Sequence, residues 1–184
     1  MAAEALDATD RVTVIETANL STGAGMLALH AAEMAQQGAA RSEIIKAVEA
    51  MKPMICSSFV VDTLTYLHRG GRCGGVAAML GGTLKLHPYI SVVNGRMEPG
   101  KKYRGKMSRV ISGYLDDLMP ALEKADTKRV IITHAACDET IIRAVQERIA
   151  AMQRFEEICV NTAGCVVSSH CGPGTLGVMF AEKL

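Results

Sequence analysis

The chain has 184 residues, enough for one domain with a sizeable core, or for one domain and a piece of another. Apolar residues at 49% and charged residues at 21% exclude a disordered chain, and a net charge of +1 excludes a broad field for nucleic acid or an anionic membrane. No apolar run reaches the roughly 18 to 20 residues that cross a bilayer, and Met1 to Asp10 is acidic rather than signal-like, so a cytoplasmic protein without an integral membrane segment is expected.

Tryptophan is absent and aromatic residues are only 4%, so packing rests on aliphatic side chains and 11 methionines. The six cysteines are scattered, with no C-x-x-C pair, and read as reduced thiols.

Val12 to Glu16 alternates like a strand. Ser21 or Thr22 then caps a helix carrying Met26, Leu27, Ala31 and Met34 inward and closed by Gly38, which together predict a β-then-α unit. Ser42 caps a second helix with Ile44, Ile45, Val48 and Met51 on its apolar face, ended by Pro53. In Phe59 to Arg72, Val61, Leu64 and Leu67 have helical spacing, Asp62 suits the positive end, and His68 and Arg69 suit the negative end. Gly70 and Gly71 stop that helix and aim Arg72 elsewhere.

Small apolar residues between Cys73 and Leu86, bracketed by glycines, suit a short helix over Val76 to Leu80. His87 to Val93 reads as a strand, Asn94-Gly95 as a hairpin turn, and Arg96 to Glu98 as the start of the returning strand. The longest helix carries Met107, Val110, Ile111, Tyr114, Leu115, Leu118, Met119 and Leu122 in one stripe, and Pro120 predicts a kink or break near Asp117. Arg129 to Thr133, a helix capped by Asp138, and Ile158 to Val160 form a β-α-β unit. Cys165 to Ser169 and Leu176 to Phe180 read as two last strands joined across H-C-G-P-G.

His170 heads the candidates for chemistry, because a strand end would deliver it into a loop where Gly172 and Gly174 leave room for a ligand group. An imidazole can donate to a carboxylate and, when protonated, balance its charge; a histidine satisfied by backbone is the plainer reading. The Gly-Pro-Gly element is no ordinary phosphate loop, since a strand follows it and Pro173 has no N–H. Ser168 and Ser169 do not form a catalytic pair with His170 on strand geometry. Zinc spacing does not emerge from His134, Cys137, His170 and Cys171. Arg72 sits in a glycine-rich turn, as a presented guanidinium or as a helix-ending salt bridge. The cations from Lys101 to Arg109 are a solvated face or a docking site for an acidic partner.

Several motifs in order carry a resemblance: N-L-S-T-G-A-G at Asn19 to Gly25, V-D-T-L-T-Y-L-H-R-G-G-R ending at Arg72, the N-G-R hairpin, Y-R-G at Tyr103 to Gly105, and H-C-G-P-G-T-L-G-V from His170. Together they resemble the DegV family of fatty-acid-binding proteins. The resemblance implies an α/β protein, a mixed sheet with packed helices, in which residues 1–75 are the remnant of an N-terminal lobe and residues 76–184 form the C-terminal lobe. It implies a long-chain fatty acid as the bound ligand, no other cofactor and no metal. His170, Gly172 and Gly174 would lie at the lipid carboxylate, and Arg72 and Arg104 on the face that meets the catalytic subunit of a fatty acid kinase. The chain itself would not be the catalyst.

The family's opening T-S-Q-P-like and S-S-x-L-S-G-T-like motifs do not occur in the sequence, so a truncated form is expected, with apolar surface covered in a homodimer and weakened lipid affinity. An enzyme acting on a small acidic metabolite through His170, and an interaction module without ligand, are the alternatives.

Overall fold

The computed structural model describes residues 2–5, 7, 10–72 and 86–183. After a single helical turn, α1 (Ala2–Ala5), the expected first strand does not form. Residues 12–17 have no ladder partner among the described residues, and Val14 is 81% exposed. Alternation is a local signal, whereas a strand exists only where a neighbour takes its hydrogen bonds.

Helix α2 (Ser21–Gln36) starts where expected but without a serine or threonine cap. Asn19 Oδ1 accepts from Leu20 N–H instead, and Thr22 Oγ1 is hydrogen-bonded to Thr133 Oγ1 at 2.7 Å, tying the helix to the sheet. Helix α3 (Arg41–Met51) is likewise held at its start by the Glu43 carboxylate, which accepts from Ala40 N–H at 2.7 Å, rather than by Ser42. Pro53 sits in the 3₁₀ turn Lys52–Met54 that ends it.

The single helix expected from Phe59 divides into three pieces: strand β1 (Ile55–Val60), a short loop, and a five-residue helix α4 (Thr65–Arg69). Val60 and Val61 are fully buried and Phe59 nearly so, because β1 lies in the middle of the sheet with both faces covered. Such a strand reads as a continuous apolar run and cannot be told from a buried helix by periodicity. The helix expected over Val76 to Leu80 lies outside the described residues.

β2 (Leu86–Val93) and β3 (Arg96–Arg104) form the hairpin, with φ of 49° at Asn94 and 76° at Gly95, the left-handed pair that a two-residue turn requires. Helix α5 (Met107–Leu122) buries Val110, Ile111, Tyr114, Leu115, Leu118 and Leu122 and runs through Pro120 without the expected break. Pro120 falls in the last turn, so the helix has little length left to lose. β4 (Ala125–Ala135), α6 (Glu139–Ala150) and β5 (Glu157–Thr162) are the β-α-β unit, with Asp138 Oδ1 accepting from Thr140 N–H at 2.8 Å as its cap.

The strand expected over Cys165 to Ser169 is a helix, α7 (Cys165–Cys171), followed by β6 (Thr175–Glu182). Val167 and Cys171, one helical turn apart, both pack inward while Val166 is 71% exposed.

The six strands lie in the order β3-β2-β1-β6-β4-β5, antiparallel except for the β4–β5 pair. β1, from one side of the division expected at residue 75, is paired on both edges by strands from the other side, β2 and β6. Helices α5 and α6 cover one face over Val60, Val130, Ile132, Val178 and Phe180. The other face is covered by α2 and α3 over Ile55, Ile131 and Met179, and by α4 and α7 over Phe59 and Val61. No helix among the described residues is long and apolar enough to cross a membrane.

Candidate functional site

Two short helices from distant parts of the chain meet at one end of the sheet, where β1, β4 and α7 finish and β6 begins. Glycine permits the contact twice. Gly70, at the end of α4, lies so close to His170 that a Cβ there would overlap Nδ1 of the ring. Gly172, just beyond α7, has φ of +78°, and a Cβ on it would overlap the ring of Tyr66. The two motifs singled out in the sequence are therefore packed on each other, imidazole over Gly70 and phenol over Gly172.

His170 is placed by the last turn of α7 rather than by a strand end, so the strand geometry invoked for Ser168 and Ser169 does not apply. Their hydroxyls donate to carbonyls of Ala163 and Val166 at 2.8 Å each, which takes them out of reach of a catalytic role with His170. Nδ1 of His170 is buried and makes no hydrogen bond, leaving an imidazole nitrogen of the half-buried ring without a partner. Burial raises the neighbouring Cys171 thiol, disfavouring a thiolate nucleophile beside it. Among the described residues no three His, Cys, Asp or Glu side chains gather to hold a metal ion.

Gly174, at φ +78°, stands beside Asp62 in the loop after β1, and its N–H donates to Ala135 O at 2.9 Å. Asp62 Oδ1 in turn lies 3.4 Å from Nδ1 of the buried His87. The other nitrogen of that ring, Nε2, is 3.1 Å from Gly105 O and, facing a carbonyl, donates to it. Arg104 precedes that glycine and is exposed at the end of β3, opposite Leu86. Arg72 is exposed beyond α4, and its Nη1 donates to Gly70 O at 2.7 Å, so the guanidinium folds back over the same turn that His170 touches. Arg104 pairs with Leu86 at the start of β2, beside the end of β1 from which α4, Gly70 and Arg72 follow, so both arginines stand at the same end of the sheet.

Under α7 lies a small cavity of about 40 Å³, walled by Phe59, Ala135, Val167, Cys171 and Met179 among others. It has room for about one water molecule, so an acyl chain would require these walls to part or the space beyond them. Asp62, Tyr66, Gly70 and His87 were not singled out as site residues from the sequence. The glycine doublet at 70–71 was the available signal, but it marks a helix end equally well.

A family model described as "Uncharacterised protein, DegV family" matches residues 1–183. The chain belongs to the DegV family. A DegV domain-containing protein of Deinococcus radiodurans is 31% identical over 168 residues, which is 91% of this chain and 59% of that protein. Among solved structures, a DegV family protein from Thermus thermophilus described for its fatty acid binding superposes with a TM-score of 0.86 at 32% identity, over 97% of this chain and 64% of that one. DegV of Bacillus subtilis, described as a fatty acid binding protein, superposes with a TM-score of 0.78 at 29% identity, over 94% of this chain and 61% of that one. The DegV chain described above spans about three fifths of the length of the curated relatives it matches.

Proposed function

We propose that this DegV chain takes part in binding a long-chain fatty acid without itself catalysing a reaction, and that it offers the carboxylate to a separate fatty acid kinase. His170 meets the carboxylate beside Gly172 and Gly174, where absent side chains leave the backbone open to approach. Arg72 and Arg104, exposed at the same end, form the docking face for the kinase, and no metal or further cofactor is needed. The observation that carries this reading is the imidazole of His170, seated on the glycine turn of the second family motif. Nδ1 is shut against Gly70, so Nε2 is the ring nitrogen that a carboxylate would meet. The likeness at 32% identity to a protein described for its fatty acid binding supports the choice of ligand. A second element of the proposal is a homodimer that covers apolar surface, with Val14 at 81% exposure among the side chains it would bury.

Calorimetric titration with palmitate tests the site. Saturable binding that weakens about tenfold in His170→Ala is expected, the scale of one hydrogen bond to a charged group. Absence of palmitate binding, or binding indifferent to that substitution, overturns the assignment. Charge reversal at Arg72 and Arg104 is expected to leave palmitate affinity unchanged while abolishing acyl phosphate formation by an added kinase.

A further inference from the structure

At the opposite end of the sheet lies a crevice that plays no part in the reading above. β1 begins at Ile55, but its pairing with β2 starts only at Ser57 opposite Val92, so the beginning of β1 and the hairpin tip are left apart. A crevice of about 480 Å³ opens there, within the range of small-molecule sites. From Ser57 the strand runs on to Val60, roughly 10 Å, before the loop that carries Asp62.

The lining has three chemical features. Ile55 and Val92, on the same face of the sheet as Ser57, supply apolar wall, and Leu118 and Phe180 line the crevice from the opposite face. Among the described residues its charged lining is Lys52 and Glu49, paired with each other at 2.9 Å, so these residues offer an acid no unpaired cation. Ser57 is only 3% exposed, yet its hydroxyl makes no hydrogen bond. Gly23 in the first turn of α2 makes the room for it, since a Cβ there would overlap both Ser57 Oγ and Asn19 Oδ1. Asn19 Oδ1 already accepts from Leu20 N–H, which leaves the Asn19 amide nitrogen free to donate.

We propose that this crevice is a second binding site, for a neutral amphiphile bearing one hydroxyl or amide group. The polar head pairs with Ser57 and Asn19, and the alkyl part lies on Ile55 and Val92 of the same face. A carboxylate is disfavoured because it would surrender hydration without meeting a counter-charge. A bare hydrocarbon is disfavoured because it leaves the serine hydroxyl unsatisfied.

The test is an NMR titration of the ¹⁵N-labelled chain with 1-octanol, octanamide and octanoate. Octanol and octanamide are expected to give saturable shifts at Asn19, Ser57 and Val92 and none at Gly172 and Gly174, with octanoate much weaker at the crevice. Ser57→Ala is expected to weaken octanol about fivefold, and at the same time to raise the melting midpoint of the ligand-free protein by removing an unsatisfied buried hydroxyl. Octanol shifts that centre on Gly172 and Gly174, equal binding of octanoate in the crevice, or unchanged octanol affinity in a folded Ser57→Ala protein would each overturn the proposal. Any of these leaves the fatty-acid reading standing, because that is probed at the other end of the sheet with palmitate and His170→Ala.

Discussion

The hydroxyl of Tyr114, on α5, donates to the main-chain carbonyl of Ser58, in the middle of β1, at 2.9 Å. The same oxygen accepts from Val178 N–H on β6 at 3.0 Å and lies 2.9 Å from Ser58 Oγ. One fully buried phenol thus joins the helix layer to two adjacent strands, and burial holds its ionisation well above the ordinary tyrosine value.

Tyr114→Phe keeps the ring and its packing but removes every one of these bonds. Because Val178 N–H and the Ser58 hydroxyl would lose an acceptor in a dry site, a loss of about 1 to 3 kcal/mol in unfolding free energy is expected. Urea denaturation of the two proteins measures it, and an unchanged midpoint would show that water replaces the phenol.

Gly172→Ala should be costly for two reasons that can be separated. The alanine would sit at φ +78° and its Cβ would strike Tyr66, so about 1 to 3 kcal/mol of destabilisation is expected. Tyr66→Ala in the same protein should recover the collision part but not the backbone part. A double-mutant cycle without coupling would mean the two motifs do not touch in solution.

Acid should weaken the protein through Glu33, whose carboxyl is held below its ordinary value of 4.5 by hydrogen bonds from Lys128 and Arg129. Its contribution is fully present above about pH 4.5 and is lost as pH falls through the lowered folded value. Asp117, held down by Lys101 and then Tyr103, adds to the same acid limb. Glu33→Gln should therefore flatten the fall in stability below about pH 4.5, measured by denaturation at each pH. An unchanged slope would assign the acid limb elsewhere.

Thiol reactivity should follow burial. Cys165 is exposed, whereas Cys171 is buried and its thiol is pushed up, and burial next to Glu182 pushes Cys56 up to about 11. Brief alkylation at neutral pH followed by peptide mass mapping should label Cys165 well ahead of Cys56 and Cys171. Preferential labelling of Cys171 would show that α7 opens in solution.

Where a signal was both local and complete, reading and structure agree. The Asn94-Gly95 hairpin needs only two residues able to adopt left-handed backbone, and α5 needs only one apolar stripe long enough to outweigh a proline in its final turn. The capping aspartate at 138 is of the same kind, since cap and capped amide are two residues apart. Where the outcome depended on a remote partner, the sequence misled. Val12 to Glu16 has strand alternation but no neighbouring strand among the described residues; Phe59 and Val60 have helical company but two flanking strands. Cys165 to Ser169 has strand-forming valines but a packing site that suits a helical face.

By itself, then, the order of residues determined the family, the α/β class, the hairpin, α5 and the β-α-β unit, because spacing and turn chemistry are written within a few positions of one another. Only the tertiary structure decided that His170 rests on Gly70, that Tyr66 rests on Gly172, and that β1 occupies the centre of the sheet. Those facts depend on which surfaces, a hundred residues or more apart along the chain, bury one another, and no local pattern encodes the absence of a side chain as a place for a distant ring.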